Sequence, residues 1–181
     1  MKKTTLLVIS ALISGGAFAD EEPKVYVSPE VSIVKADCPP ELTCTDTTGF
    51  GIGLNGGVNI TDHLGIEFGY LRASGFSVQR FRSQNKVKLS TFKVGGKARF
   101  NVSEDFGIFG KGGVHKWKSK EEGGSSVDGM NPFFGGGFQY QASKKVVLEA
   151  ALTHYIFDEE EGNLTVDVTA NAFSGALVFE L

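Results

Sequence analysis

Gly49-Phe50-Gly51-Ile52-Gly53-Leu54-Asn55-Gly56-Gly57-Val58-Asn59-Ile60 puts an apolar residue or glycine at every even position and glycine or asparagine at every odd one. A period of two is the period of a β-strand, so this stretch has one apolar face and one small or polar face. After the turn Thr61-Asp62-His63, the pattern resumes. Leu64, Ile66, Phe68 and Tyr70 alternate with Gly65, Glu67 and Gly69.

The same reading carried outward predicts eight strands, at 24–35, 49–60, 64–74, 88–101, 106–118, 131–141, 146–157 and 165–181. Most run to roughly 10–14 residues, against an ordinary five or six, and a tilted strand needs about 9–11 to cross a bilayer. The connections alternate too. Those at 61–63, 102–105 and 142–145 are short, whereas 36–48, 75–87, 119–130 and 158–164 are long and polar. Short turns at one end and long loops at the other fit an outer-membrane barrel, with the turns periplasmic and the loops extracellular.

A lipocalin-like soluble barrel has the same strand number, and a β-sandwich is a further all-β alternative. The charges separate these readings. With the aliphatic and aromatic positions facing out, the inward set holds Glu30, Glu67, Lys93, Lys97, Arg99, Lys111, Gln139, Glu149 and Glu180. The strand centres then carry charge on the glycine-rich face and none on the apolar face. A charge facing lipid at the midplane costs about 2–4 kcal/mol, whereas in a narrow lumen opposite charges can pair. Gly49, Gly51, Gly53, Gly113, Gly135 and Gly137 leave room there for long side chains. The predicted fold is an all-β, eight-stranded antiparallel up-and-down transmembrane β-barrel. Phe100, Phe106, Tyr140 and Phe179 are read as the outward aromatic girdle near the short turns, and Trp117, Tyr155 and Phe157 as the girdle near the loops.

Mean hydropathy is −0.04, which is no test of a barrel, because alternation hides the membrane signal. Glycine, 24 of 181 residues, is about twice as frequent as in average chains. The chain carries 18 basic and 21 acidic residues, without the basic excess of a nucleic-acid binder. Met1-Lys2-Lys3, the apolar run around Leu6 to Ile13 and Ala17-Phe18-Ala19 form a charged start, a short apolar core and a cleavage motif. Residues 1–19 are therefore read as a cleaved signal peptide and 20–181 as the barrel domain. Loss of Lys2 and Lys3 leaves sixteen bases against 21 acids, a net charge of −5. Cys38 and Cys44, an isolated pair in an exported chain, are expected to form a disulfide pinching the first long loop.

Several segments resemble the OmpA-like outer-membrane barrel family: Gly65-Ile66-Glu67-Phe68-Gly69-Tyr70, Gly96-Lys97-Ala98-Arg99-Phe100, Phe106 to Gly113, and Asn131 to Tyr140. The resemblance spans the mature chain. It implies an eight-stranded barrel inserted by the outer-membrane assembly machinery, a role supported by the alternating C-terminal Leu177-Val178-Phe179-Glu180-Leu181. The chain departs from the family by carrying Gln139 where a glutamate stands and Glu149 where an arginine stands. No peptidoglycan-binding domain is expected after the last strand, so that function is not carried over.

Chemistry is sparse. His63 falls in a turn, His115 is predicted inward and His154 outward. Neither His115 nor His154 has the following serine of an eight-stranded lipid-A deacylase. Asp158-Glu159-Glu160-Glu161 reads as a solvated acidic loop, with a divalent cation held by its carboxylates as the alternative. No catalytic residue, metal site or cofactor is assigned. The expected site is an interior ion network in which Glu67 and Glu149 face Lys97 and Lys111, with Arg99 close by. Arg72, Arg80, Arg82, Lys86 and Lys88 make the second loop basic, which fits either contact with lipopolysaccharide phosphates or plain solvation of a surface loop. The expected partners are outer-membrane lipid, lipopolysaccharide and the assembly machinery, and the barrel is expected to be a monomer. The expected role is structural or surface-facing, in the outer membrane of a Gram-negative cell. The alternatives are a narrow pore and, behind it, a lipid-modifying enzyme.

Overall fold

The structure, a computed structural model, describes residues 23–37, 43–80, 83–121, 126–161 and 164–181. Eight long strands form its wall: β1 (Lys24–Ala36), β3 (Thr48–Asn59), β4 (Leu64–Arg80), β5 (Ser83–Asn101), β6 (Phe106–Glu121), β7 (Ser126–Ser143), β8 (Val146–Glu161) and β9 (Leu164–Glu180). A short extra strand, β2 (Thr43–Asp46), lies along the upper part of β4. Each neighbouring pair is antiparallel. The sheet closes because β1 pairs with both β3 and β9, and β4 with β5. Among the described residues no helix is long and apolar enough to cross a membrane. The wall is the crossing element, and closure leaves no open edge through its middle.

Alternation decides what faces where. Val31, Ile33, Phe50, Ile52, Leu54, Phe68, Phe92, Phe134, Leu152 and Phe173 are exposed on the outer surface. Ser28, Glu30, Ser32, Asn55, Glu67, Lys93 and Lys97 are buried inside. This is a soluble protein turned inside out. It is stable only with lipid against the wall, because so continuous an apolar surface would not persist in water. Small polar side chains close the short turns. Thr61 Oγ1 accepts from the backbone N–H of His63 and Leu64 at 3.2 and 3.0 Å, and Ser103 Oγ from that of Phe106 at 3.1 Å.

Two expectations are corrected. First, much of the long polar segments is strand. β4 and β5 stay paired up to Arg80 and Ser83, β6 and β7 up to Lys120 and Ser126, and β8 and β9 up to Glu161 and Leu164. Beyond the bilayer both faces of a strand meet water. Alternation then fades while the backbone ladder continues. The β7–β8 ladder, by contrast, stops at Phe133 and Tyr155, so the β8–β9 hairpin parts there from the sheet of β4 to β7.

Second, Trp117, Tyr155 and Phe157 point into the barrel. Period two runs unbroken from Lys111 to Trp117 and from Glu149 to Phe157, so these aromatics share the face of the charges. They pack with Phe133, Leu71, Phe76 and Val34 in a core filling the loop-side half of the lumen. Phe76 reaches that core because Gly75, at φ 110°, makes a bulge that reverses the parity of β4. Elsewhere glycine lets the walls close in. Gly95 and Gly113 lie opposite one another, and a Cβ on Gly113 would sit 2.5 Å from the Gly95 Cα.

Candidate functional site

The lumen holds two stacked layers. The lower is ionic. Glu30 and Glu67 come from β1 and β4, Lys93 and Lys97 from β5, and Glu149 from β8. Lys97 Nζ lies 2.5 Å from Glu149 Oε1 and 4.0 Å from Glu67 Oε2. Lys93 Nζ lies 3.3 Å from Glu30 Oε2 and 4.0 Å from Glu67 Oε1. Neutral donors complete the shell: Asn55 Nδ2 donates to Glu30 at 2.6 Å and the Tyr26 hydroxyl to Glu67 at 3.1 Å. Lys97 also stands 4.4 Å from the Phe109 ring centroid. Gly69 makes room for this arrangement, since a side chain there would run into Lys93.

Of the five residues expected in the network, the structure brings Glu67, Lys97 and Glu149 together. Lys111 lies directly opposite Lys97 on the adjacent strand, and no carboxylate of the described residues comes within 4.0 Å of it. Arg99 sits lower, lining a cavity of about 360 Å³ at the turn-side mouth with Lys24, Asn101, Gln139 and Glu180. Its Nε is buried without a hydrogen-bond partner. The two departures from the family pattern, Gln139 and Glu149, are register partners; Gln139 turns to Asn101 at 3.4 Å and Glu149 takes Lys97. The network expectation omits Glu30, Lys93, Asn55 and Tyr26. Parity alone puts Glu30 and Lys93 on the inner face, but only register shows that they meet.

The upper layer is aromatic. His115 is fully buried, with Tyr155 and Phe157 each 5.1 Å away between ring centroids, and its ring nitrogens engage Thr91 Oγ1 and the Ile156 carbonyl. Trp117 Nε1 donates to Asn131 Oδ1 at 2.7 Å. His154 faces outward, its ring tilted against Phe134 at 5.0 Å between centroids and bonded to Asn171, and His63 lies in its turn against the Arg99 carbonyl. Among the described residues none of the three histidines is bonded to a carboxylate or a serine. Among the described residues no group of three His, Cys, Asp or Glu is placed to hold a metal. Cys38, the side chain of Cys44 and the side chains of Asp158 to Glu161 lie outside the described residues, as do Arg82, the side chains of Arg80 and Lys86, and the expected signal peptide.

The comparisons with known proteins agree with this architecture. Residues 4–179 match the family model of the outer membrane protein beta-barrel domain. No protein of curated function matches in sequence. Among solved structures, Neisserial surface protein A superposes with a TM-score of 0.66 at 16% identity, covering 89% of this chain and all of that one. Ail, the attachment invasion locus protein of Yersinia pestis, gives 0.55 at 14%, covering 88% of this chain and 97% of that one. OprG of Pseudomonas aeruginosa gives 0.56 at 10%, covering 87% and 93%. With a match over nearly its whole length and a closed barrel walled by apolar side chains, the chain belongs to the outer membrane protein β-barrel family and lies in the Gram-negative outer membrane.

Proposed function

We propose that this protein is a closed barrel whose work is done by its outer surface and its extracellular hairpins, in membrane integrity and contact with surface partners, and not by conduction or catalysis. The observation that carries this reading is the filled lumen. A path through it would have to cross the Lys97–Glu149 and Lys93–Glu30 pairs and then the Trp117, Phe133, Tyr155 and Phe157 cluster. Eight strands enclose a space that side chains can fill, and here they fill it twice over. The hairpins that rise beyond the wall give the surface reading its material.

Two structurally similar proteins point the same way by their own roles. One is a surface protein of Neisseria; the other is an attachment invasion locus protein, also solved with the heparin analogue sucrose octasulfate. The barrel reaches the membrane through the assembly machinery, with Leu177 to Leu181 as its insertion signal, and functions as a monomer.

Uptake by proteoliposomes tests the reading. Vesicles carrying the folded barrel should swell in small sugars no faster than empty vesicles. Swelling that scales with the amount of barrel would return the narrow pore to first place.

A further inference from the structure

The periplasmic mouth of the barrel is a ring tied shut by its short turns. Each turn accepts a hydrogen bond from the strand beyond its own hairpin. The N–H of Arg99 on β5 donates to the His63 carbonyl at 2.7 Å, that of Gln141 on β7 to Asp105 at 2.7 Å, and that of Glu180 on β9 to Lys145 at 3.0 Å. The N–H of Leu181 donates to Val25 on β1 at 3.0 Å and completes the ring. The cavity of about 360 Å³ inside it is therefore preformed, and a ligand entering it orders little of the protein. Lys24, Arg99 and Lys144 line it together with Asp62, Glu104 and Glu180. Among the described residues none of these three cations comes within 4.0 Å of a carboxylate. Arg99 stands deep in the mouth, two positions along β5 from Lys97, with Nε buried and without a hydrogen-bond partner. Four carboxamides, Asn59, Asn101, Gln139 and Gln141, complete the lining, and one bond, Gln139 to Asn101 at 3.4 Å, joins two of them.

We infer that this cavity binds a short zwitterionic peptide from the periplasm, with the Arg99 guanidinium taking its C-terminal carboxylate. The lining specifies the ligand in three ways. Charges of both signs stand unpaired in one small space. A simple anion would meet three carboxylates there and a simple cation three bases, whereas a molecule with an ammonium at one end and a carboxylate at the other uses both sets. The carboxamides offer donors and acceptors to match the N–H and C=O groups of a peptide bond. The guanidinium fork fits a carboxylate with two parallel hydrogen bonds. The volume lies near the lower end of the roughly 300–1,000 Å³ of small-molecule sites, which suits two or three small residues. The cavity ends below the Lys97 layer, so occupation requires no path through the lumen.

Calorimetric titration of the full folded chain in lipid nanodiscs, open to solvent on both faces, tests the inference. Tri-alanine should bind, and its C-terminal amide should bind about tenfold more weakly or less well still, the loss of a charge-assisted hydrogen bond. Arg99→Gln should erase that difference, and Arg72→Gln, at the opposite end of the barrel, should keep it. No binding of tri-alanine by the wild type, or equal binding of acid and amide, would overturn the site, and this comparison needs no variant to fold. A difference that survives Arg99→Gln would overturn the role of Arg99. N-acetyl-tri-alanine binding as tightly as tri-alanine would show a site for the tail of a longer chain and overturn the assignment to a free peptide. Acetate displacing tri-alanine at equal concentration would show a site for a bare anion and overturn the peptide altogether.

Discussion

Lys97 on β5 and Glu149 on β8 meet across the lumen at 2.5 Å, although β6 and β7 separate them in the wall. The pair ties two distant parts of the barrel together. Removing one partner strands a buried charge, which costs about 3–5 kcal/mol. Glu149→Ala should therefore lower stability by about that much in urea unfolding from lipid vesicles. Lys97→Ala/Glu149→Ala should cost less than the two single changes added together, because each single change already breaks the same contact. Additive losses would mean that the two side chains do not act as a pair.

Position on the wall should govern tolerance to charge. Leu54 and Phe68 are both about half exposed, at 55% and 49%, and face lipid. Leu54→Arg or Phe68→Arg should cost about 2–4 kcal/mol and slow insertion. Ser32→Ala is the matched interior change. The Ser32 hydroxyl is buried with no hydrogen-bond partner, so its removal should be neutral or slightly stabilising. Folding yield into vesicles, read by heat-modifiable gel migration, separates the two groups. Equal behaviour of all three variants would invert the assignment of faces.

Trp117 is the only tryptophan of the chain, so its fluorescence reports one place. Buried in the upper lumen and bonded to Asn131, it should be quenched little by lipids with brominated acyl chains and little by aqueous acrylamide. A girdle position would give strong quenching by the brominated lipid.

Asn55 tests the donor shell around the ions. It gives Glu30 a 2.6 Å hydrogen bond, and hydrogen bonds to charged groups contribute about 1.5–3 kcal/mol. Asn55→Ala should destabilise by about that amount, and Asn55→Ser, which keeps a donor on a shorter side chain, by less. Unfolding midpoints in urea order the three proteins.

How much of this was legible in the sequence depends on depth in the membrane. Between Phe50 and Ile60, lipid on one side and a packed lumen on the other impose strict alternation, and strand, face and barrel class can all be read from it. Past Arg72 or Lys118 both faces meet water. The strand continues on backbone hydrogen bonds alone, and its residues look like a loop. Trp117 and Tyr155 show a different difficulty. Their nearness to the loops suggests a girdle, yet the parity inherited from Lys111 and Glu149 puts them inside. Parity in turn gives the face but not the height. Lys97 and Lys111 share a face and also a register level, yet of the two only Lys97 comes within 4.0 Å of a carboxylate among the described residues. Glu30 and Lys93, 63 positions apart, meet only through closure of the sheet.

Single-channel recording in planar bilayers tests the central claim, that the two layers close the barrel. The wild type should show no steady open level at any moderate voltage. Lys97→Ala/Glu149→Ala combined with Trp117→Ala/Tyr155→Ala, which opens both layers, should conduct in discrete steps. A large, steady conductance from the wild type, unchanged in the quadruple variant, would contradict a lumen closed by these side chains.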